Sequence, residues 1–270
     1  MVTENIADRS VDFYVPFDMV IATDLDLSTL SRINAASRLS GKPFYAAGTH
    51  GFYGFVFADL GQQHHFMIER EKSNRPTIIG PETLTRNIMT TNMQNRDGKE
   101  IEIVSKREIY SPLPLANTSP LPEDLLNNRR RKLQVTPLLS CLRALWEFQK
   151  LSNNLPSASQ ADLQLFTTLA SQKHAELQLP KETLRIDFLK SFLHNLGSEI
   201  PPVTAFLGGH LAQDAINVLG QREQPIQNFL LFDGEESKGQ IYALHPIFPD
   251  MPLAVPDGVA AAPVAASMVM

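Results

Sequence analysis

Cysteine is nearly missing from this sequence: Cys141 stands alone in 270 residues, beside a single tryptophan and seven histidines. A lone cysteine excludes an intramolecular disulfide and any multi-cysteine zinc site, and it predicts a reducing compartment. An excess of charge of one sign is missing too. The 24 Lys and Arg against 29 Asp and Glu leave a formal net charge of -5, so no general polybasic surface is available to nucleic acid. No run of 18 apolar residues occurs, which excludes a simple membrane-spanning helix and leaves no membrane role to expect. The opening MVTENIADRS has no basic segment followed by an apolar one, so an intracellular protein is expected. What is present, 43% hydrophobic and 20% charged residues, is ordinary material for one or two globular domains.

The most informative stretch is PPVTAFLGGHLAQDAINVLGQREQPIQNFLLFDG, residues 201–234. Two prolines start a helix, the spacing of Leu207, Leu211, Ile216 and Leu219 continues it, and Gly220 stands where a left-handed C-terminal cap is usual. An apolar strand follows and ends at the Asp233-Gly234 turn. A second stripe of small residues, Ala205, Gly208, Gly209, Ala212 and Ala215, lies on an adjacent face of the helix. Glycine in a helix interior costs about 1 kcal/mol against alanine, so the pair implies close approach of another backbone. Either tight packing within the chain or a subunit interface satisfies that requirement.

Upstream, residues 17–23 read as a buried strand, Leu27, Leu30, Ile33 and Leu39 as a helix capped by Asp26 or Ser28, and residues 43–47 as a second strand. Together they make a βαβ unit whose strands run parallel, and the loop Thr23–Asp26 falls at the carboxyl edge, where ligands of open α/β sheets collect. Residues 55–58 and 65–68, around a turn at Asp59–Gly61, read as an antiparallel pair, which predicts a mixed sheet. Gly48, Gly51 and Gly54 precede a strand and open no helix, so they read as bends and close packing and not as a phosphate turn. His64 and His65 would point to opposite faces of a strand, a poor pair for one metal ion. Asp97-Gly98 predicts a hairpin turn before Ile101–Lys106, Thr136-Pro137 a helix start, and two more helices follow around Phe166 and Phe192. Asn127–Lys132 is a basic cluster at a solvated helix end or loop. The expected division is an α/β part at 1–84 and 198–246, a mostly helical insertion at 85–197, and a disordered Pro/Ala-rich tail at 247–270.

These residues assemble no catalytic, cofactor or metal set. Cys141 reads as a packed thiol, Asp24 and Asp26 as capping residues before phosphate or magnesium ligands, and His210 with Asp214 as a surface ion pair. The order of motifs does carry a resemblance. Residues 17–61, with the pattern Pro202, Gly208, Gly209, Ala212, Gln213, Asp214 and a strand ending in Phe232-Asp233, resemble the second half of the adenylation domain of ubiquitin-like activating enzymes and their MoeB/ThiF relatives. The likeness is greatest to the smaller-subunit branch of SUMO-activating enzymes. It implies a partial Rossmann-like α/β fold, a mixed sheet flanked by helices, with a helical insertion. It also implies a nuclear, non-catalytic subunit of a heterodimer, whose larger partner binds ATP and magnesium and forms the thioester with SUMO. Active members carry Asp-Asn-x-x-x-Arg-x-x-x-Asn after the equivalent strand; counting back from Asn34 places Leu30 at the Arg position and Leu25 at the Asp position. The family's Gly-rich turn would precede residue 17, so the chain is expected to match the C-terminal portion of such a subunit and to be poorly soluble alone. A standalone MoeB/ThiF-type adenylyltransferase and a catalytically dead interaction scaffold are the rival readings.

Overall fold

Local signals set most of the elements of the structure, a computed structural model that describes Ile6 and residues 9–246. The tail expected at 247–270 lies outside these described residues. Strand β1 (Val20–Thr23) leads to helix α1 (Leu27–Leu39), whose N-cap is Asp26: its carboxylate accepts the Thr29 N–H at 3.0 Å. Gly41, at φ +70°, turns the chain into β2 (Phe44–His50), which pairs with β1 in parallel from Val20↔Phe44. The predicted βαβ unit is therefore formed. Its first strand is shorter than expected, because the Phe17 N–H is bonded to Tyr14 O in a turn.

Strand β3 (Tyr53–Asp59) pairs antiparallel with β2, but the hairpin expected between residues 55–58 and 65–68 is not formed. The chain leaves this sheet at Leu60–Gly61, and β4 (His64–Glu71) joins a second sheet with β5 (Gly80–Pro81), β6 (Arg86–Arg96) and β7 (Lys99–Glu108). There the order is β4-β7-β6-β5, antiparallel throughout. The predicted Asp97-Gly98 turn closes the β6–β7 hairpin with both residues at positive φ, the requirement of a tight two-residue turn. His64 is buried and His65 exposed, on opposite faces as expected. This sheet spans residue 84, with two strands before it and two after.

Six helices follow: α2 (Leu113–Thr118), α3 (Glu123–Leu126), the basic α4 (Arg129–Lys132), α5 (Leu138–Ser152), α6 (Gln160–Glu176) and α7 (Ile186–Asn195). The chain then forms α8 (Pro201–Gly220) and returns to the first sheet as β8 (Phe229–Asp233) and β9 (Lys238–Tyr242). That sheet has the order β1-β2-β3-β8-β9, parallel only at β1–β2. The result is a mixed α/β fold with sheets flanked by helices.

Alternation along each strand divides the core into two layers. Phe44, Phe55, Phe57 and Phe229 face α1, α5, α6 and α7, while Tyr45, Val56, Leu230 and Phe232 face α8. Cys141 is fully buried among the first set, and burial pushes its thiol up, so it is a packed thiol as expected.

Candidate functional site

Helix α8 starts with Pro201 and Pro202 in its first turn and ends one residue later than expected. The left-handed residue is Gln221 (φ +52°), not Gly220, and the Arg222 N–H closes the end onto Asn217 O at 3.0 Å. Its inward side is Val203, Leu207, Asp214 and Val218. Asp214 is buried: it accepts the Tyr45 hydroxyl at 2.6 Å and the Ile226 N–H at 2.9 Å. Burial holds its carboxyl above the usual range. The expected surface pair with His210 is thus replaced by an anchor to β2 and to the segment before β8. His210 lies against the Phe206 ring instead, with centroids 4.4 Å apart.

Close approach does occur beneath α8, but strand β3 and the turn after β8 supply the glycines for it. A Cβ on Gly54 would stand 2.3 Å from Leu207 Cδ1, and one on Gly234 would stand 3.1 Å from Val203 Cγ2. On the helix, a Cβ added to Gly208 or Gly209 meets nothing within 4 Å among the described residues. Tight packing within the described residues therefore does not explain the Gly-Gly pair.

Ala205, Gly208, Gly209 and Ala212 are exposed and Ala215 is half-buried. At 100° per residue they point away from the sheet, in line with Ile216 and Leu219, which are 65% and 58% exposed. Spacing alone groups Ile216 and Leu219 with Leu207 and Leu211, which pack toward the sheet. A wheel drawn through Val203, Leu207 and Val218 would have placed them correctly; reading Asp214 as a surface residue hid that axis. Asp214 is the one Asp, Glu, Lys or Arg in α8 and it points inward, so the outward face is uncharged over its whole length. Solvated helix faces normally carry charge. Ile21, at the edge of the sheet, is also apolar and exposed on the sheet face that α8 covers, since its pairing partner Tyr45 faces α8.

The loop after β1 has a different chemistry. Asp26 is consumed by its cap: although burial opposes ionisation, hydrogen bonds from Ser28 and Thr29 bring its carboxyl down to about 2. Asp24 adopts φ +53° and accepts the Thr49 N–H at 3.3 Å. Leu30 is fully buried and Leu25 is exposed. A cavity of about 370 Å³ opens here with Asp24, Asp26 and Glu199 in its wall and no lysine or arginine. Burial lowers the His50 imidazole, which adds no positive charge. Nothing in this wall complements a triphosphate. Among the described residues, no three His, Cys, Asp or Glu side chains are grouped to hold a metal ion. Gly48, Gly51 and Gly54 are close-packed against Phe55, Asn195 and Leu207, as expected.

No family model matches the chain. Among curated proteins, DNA damage tolerance protein RHC31 of Saccharomyces cerevisiae is 31% identical over 237 residues, 86% of this chain and 66% of that protein. SUMO-activating enzyme subunit 1 of Xenopus laevis is 30% identical over 247 residues, 90% of this chain and 67% of its own length. The Homo sapiens protein of the same name is 26% identical over 251 residues, 90% and 68% of the two chains. The chain thus spans about two thirds of the length of the curated relatives it matches.

Proposed function

This chain belongs to the family of SUMO-activating enzyme subunit 1, and from that premise we propose that it is the non-catalytic subunit of a heterodimeric SUMO-activating enzyme. One observation carries the reading: the outward face of α8 is an uncharged strip of small and aliphatic residues with open space over Gly208 and Gly209. Such a strip left to water is what a partner's surface covers, and the glycines let that partner's backbone come close. The catalytic subunit is the proposed occupant. It would supply ATP and magnesium, adenylate the modifier and carry the thioester cysteine. Leu25 and Leu30, aliphatic where active members carry charge, and the acidic wall around Asp24 give this half no means of stabilising a transferring phosphate.

We further propose that 1–84 and 198–246 form the α/β part of a Rossmann-like adenylation domain, that 85–197 is an insertion into it, and that the assembled complex works in the nucleus. Co-expression with a SUMO-activating catalytic subunit tests the assignment. A stable heterodimer is expected, weakened at least tenfold by Gly208→Leu, with no ATP–pyrophosphate exchange by this chain alone. Exchange by the isolated chain would revive the standalone adenylyltransferase, and failure to form the heterodimer would favour the scaffold. A fluorescent fusion reads the compartment.

A further inference from the structure

A cavity of about 700 Å³ lies away from both regions above. It opens where the two sheets meet, between the turn before β6, the start of α3 and the ends of β8 and β9. Leu121, Pro122, Leu125, Ile226 and Ile241 make an apolar wall, and Ile241 stays 55% exposed. Thr85, Arg86, Glu108, Gln227 and His245 make the polar part, each more than nine-tenths buried.

These five side chains form one hydrogen-bonded chain. Arg86 Nε donates to Glu108 at 2.7 Å, and Thr85 Oγ1 donates to Glu108 at 3.1 Å. Gln227 Nε2 reaches Thr85 Oγ1 at 3.2 Å, the Ile109 carbonyl at 3.3 Å and His245 Nε2 at 2.7 Å. The ring's other nitrogen meets Ser111 Oγ at 2.9 Å. Gln227 Oε1 alone has no donor. The charges are internally compensated, because Arg86 is paired with Glu108 and the neighbouring Lys106 with Glu82. Burial brings His245 down to about 4, so its ring is neutral at neutral pH.

Volume, apolar wall and convergent buried polar groups are the marks of a small-molecule site. We propose that this cavity binds an uncharged, largely apolar ligand bearing a hydrogen-bonding group, in chemical class an aromatic amide. The wall's Glu123 and Asp124 carboxylates are exposed to water, Asp124 paired with Arg131, and its buried part has no free countercharge, so an ionised ligand would leave its water there unpaired and neutral forms are selected. The site is independent of the α8 face and of the assignment above.

Three probes of one shape test it on the full chain: indole-3-acetamide, its anionic relative indole-3-acetate and its cationic relative tryptamine. The amide is expected to bind saturably, shifting the Gln227 side-chain amide and His245 ring signals in NMR, with at least tenfold preference over both ions. Ile241→Glu changes an exposed wall residue; it is expected to keep the fold, read by circular dichroism, and to weaken the amide at least tenfold. Equal affinity for the three probes, shifts clustered elsewhere, no saturation, or unchanged binding to Ile241→Glu would each overturn the proposal.

Discussion

Helices α5 and α8 cover opposite faces of one sheet and are treated very differently by it. Ten residues of α5 are buried, among them two polar ones, Ser140 and Arg143, whereas α8 is longer and carries one charged residue against three in α5, yet buries four. The difference lies in what stands behind each helix. Helix α5 is backed by α6 within its own chain, where Ser140 Oγ meets His174 Nδ1 at 2.9 Å, while nothing in the described residues stands behind α8. On the assignment proposed above, the uncovered side of α8 is where the partner would sit.

Variants on the two sides should separate accordingly. The largest effect belongs to the α5 side, where Trp146 meets Phe55 edge-on at 5.4 Å and Phe229 at 6.1 Å. Trp146→Ala should cost about 3–5 kcal/mol in urea unfolding; a loss below about 1 kcal/mol would deny α5 its place as the main core helix.

Acid acts on the other side, through His245. Its pKa falls from 6.5 to about 4 on folding, so the folded state binds fewer protons in that window and stability drops as pH falls through it. At pH 5 His245 should account for a loss of about 2 kcal/mol relative to pH 7.5, and His64, which burial also brings down to about 4, for about as much again, so His245→Asn should remove about half of the wild-type loss. A wild-type loss left undiminished by this substitution would assign the acid sensitivity elsewhere.

Tyr45→Phe removes the hydroxyl that fastens Asp214 and should cost about 1–2 kcal/mol, read from the shift of the thermal midpoint. The smallest change has the opposite sign. Gly208→Ala fills open space on an exposed helix, so the isolated chain should gain about 0.5–1 kcal/mol. Should that variant melt earlier than wild type, the outward face of α8 would not be free, and the contrast with α5 would fail.

Much of the fold was readable because its determinants are local. The Asp26 cap, the Asp97-Gly98 hairpin and the packed Cys141 rest on near neighbours in sequence. The pairing of β3 was not readable, since a strand of suitable composition accepts many partners and β8 lies about 170 residues away in the chain. The candidate site was half readable. All five small residues were identified, but the wall they belong to was not, because Ile216 and Leu219 match the core by composition alone.

The sequence by itself determined that residues 201–220 are helical and that glycines and alanines share one side of the helix, since propensity, proline and the 3.6-residue period act over a few residues. Only the tertiary structure decided which side is covered. Burial depends on what packs against the helix, and here Gly54 and Gly234 of the sheet admit Leu207 and Val203 while Tyr45 holds Asp214 inward. Those contacts turn the Gly-Gly face outward and leave it open.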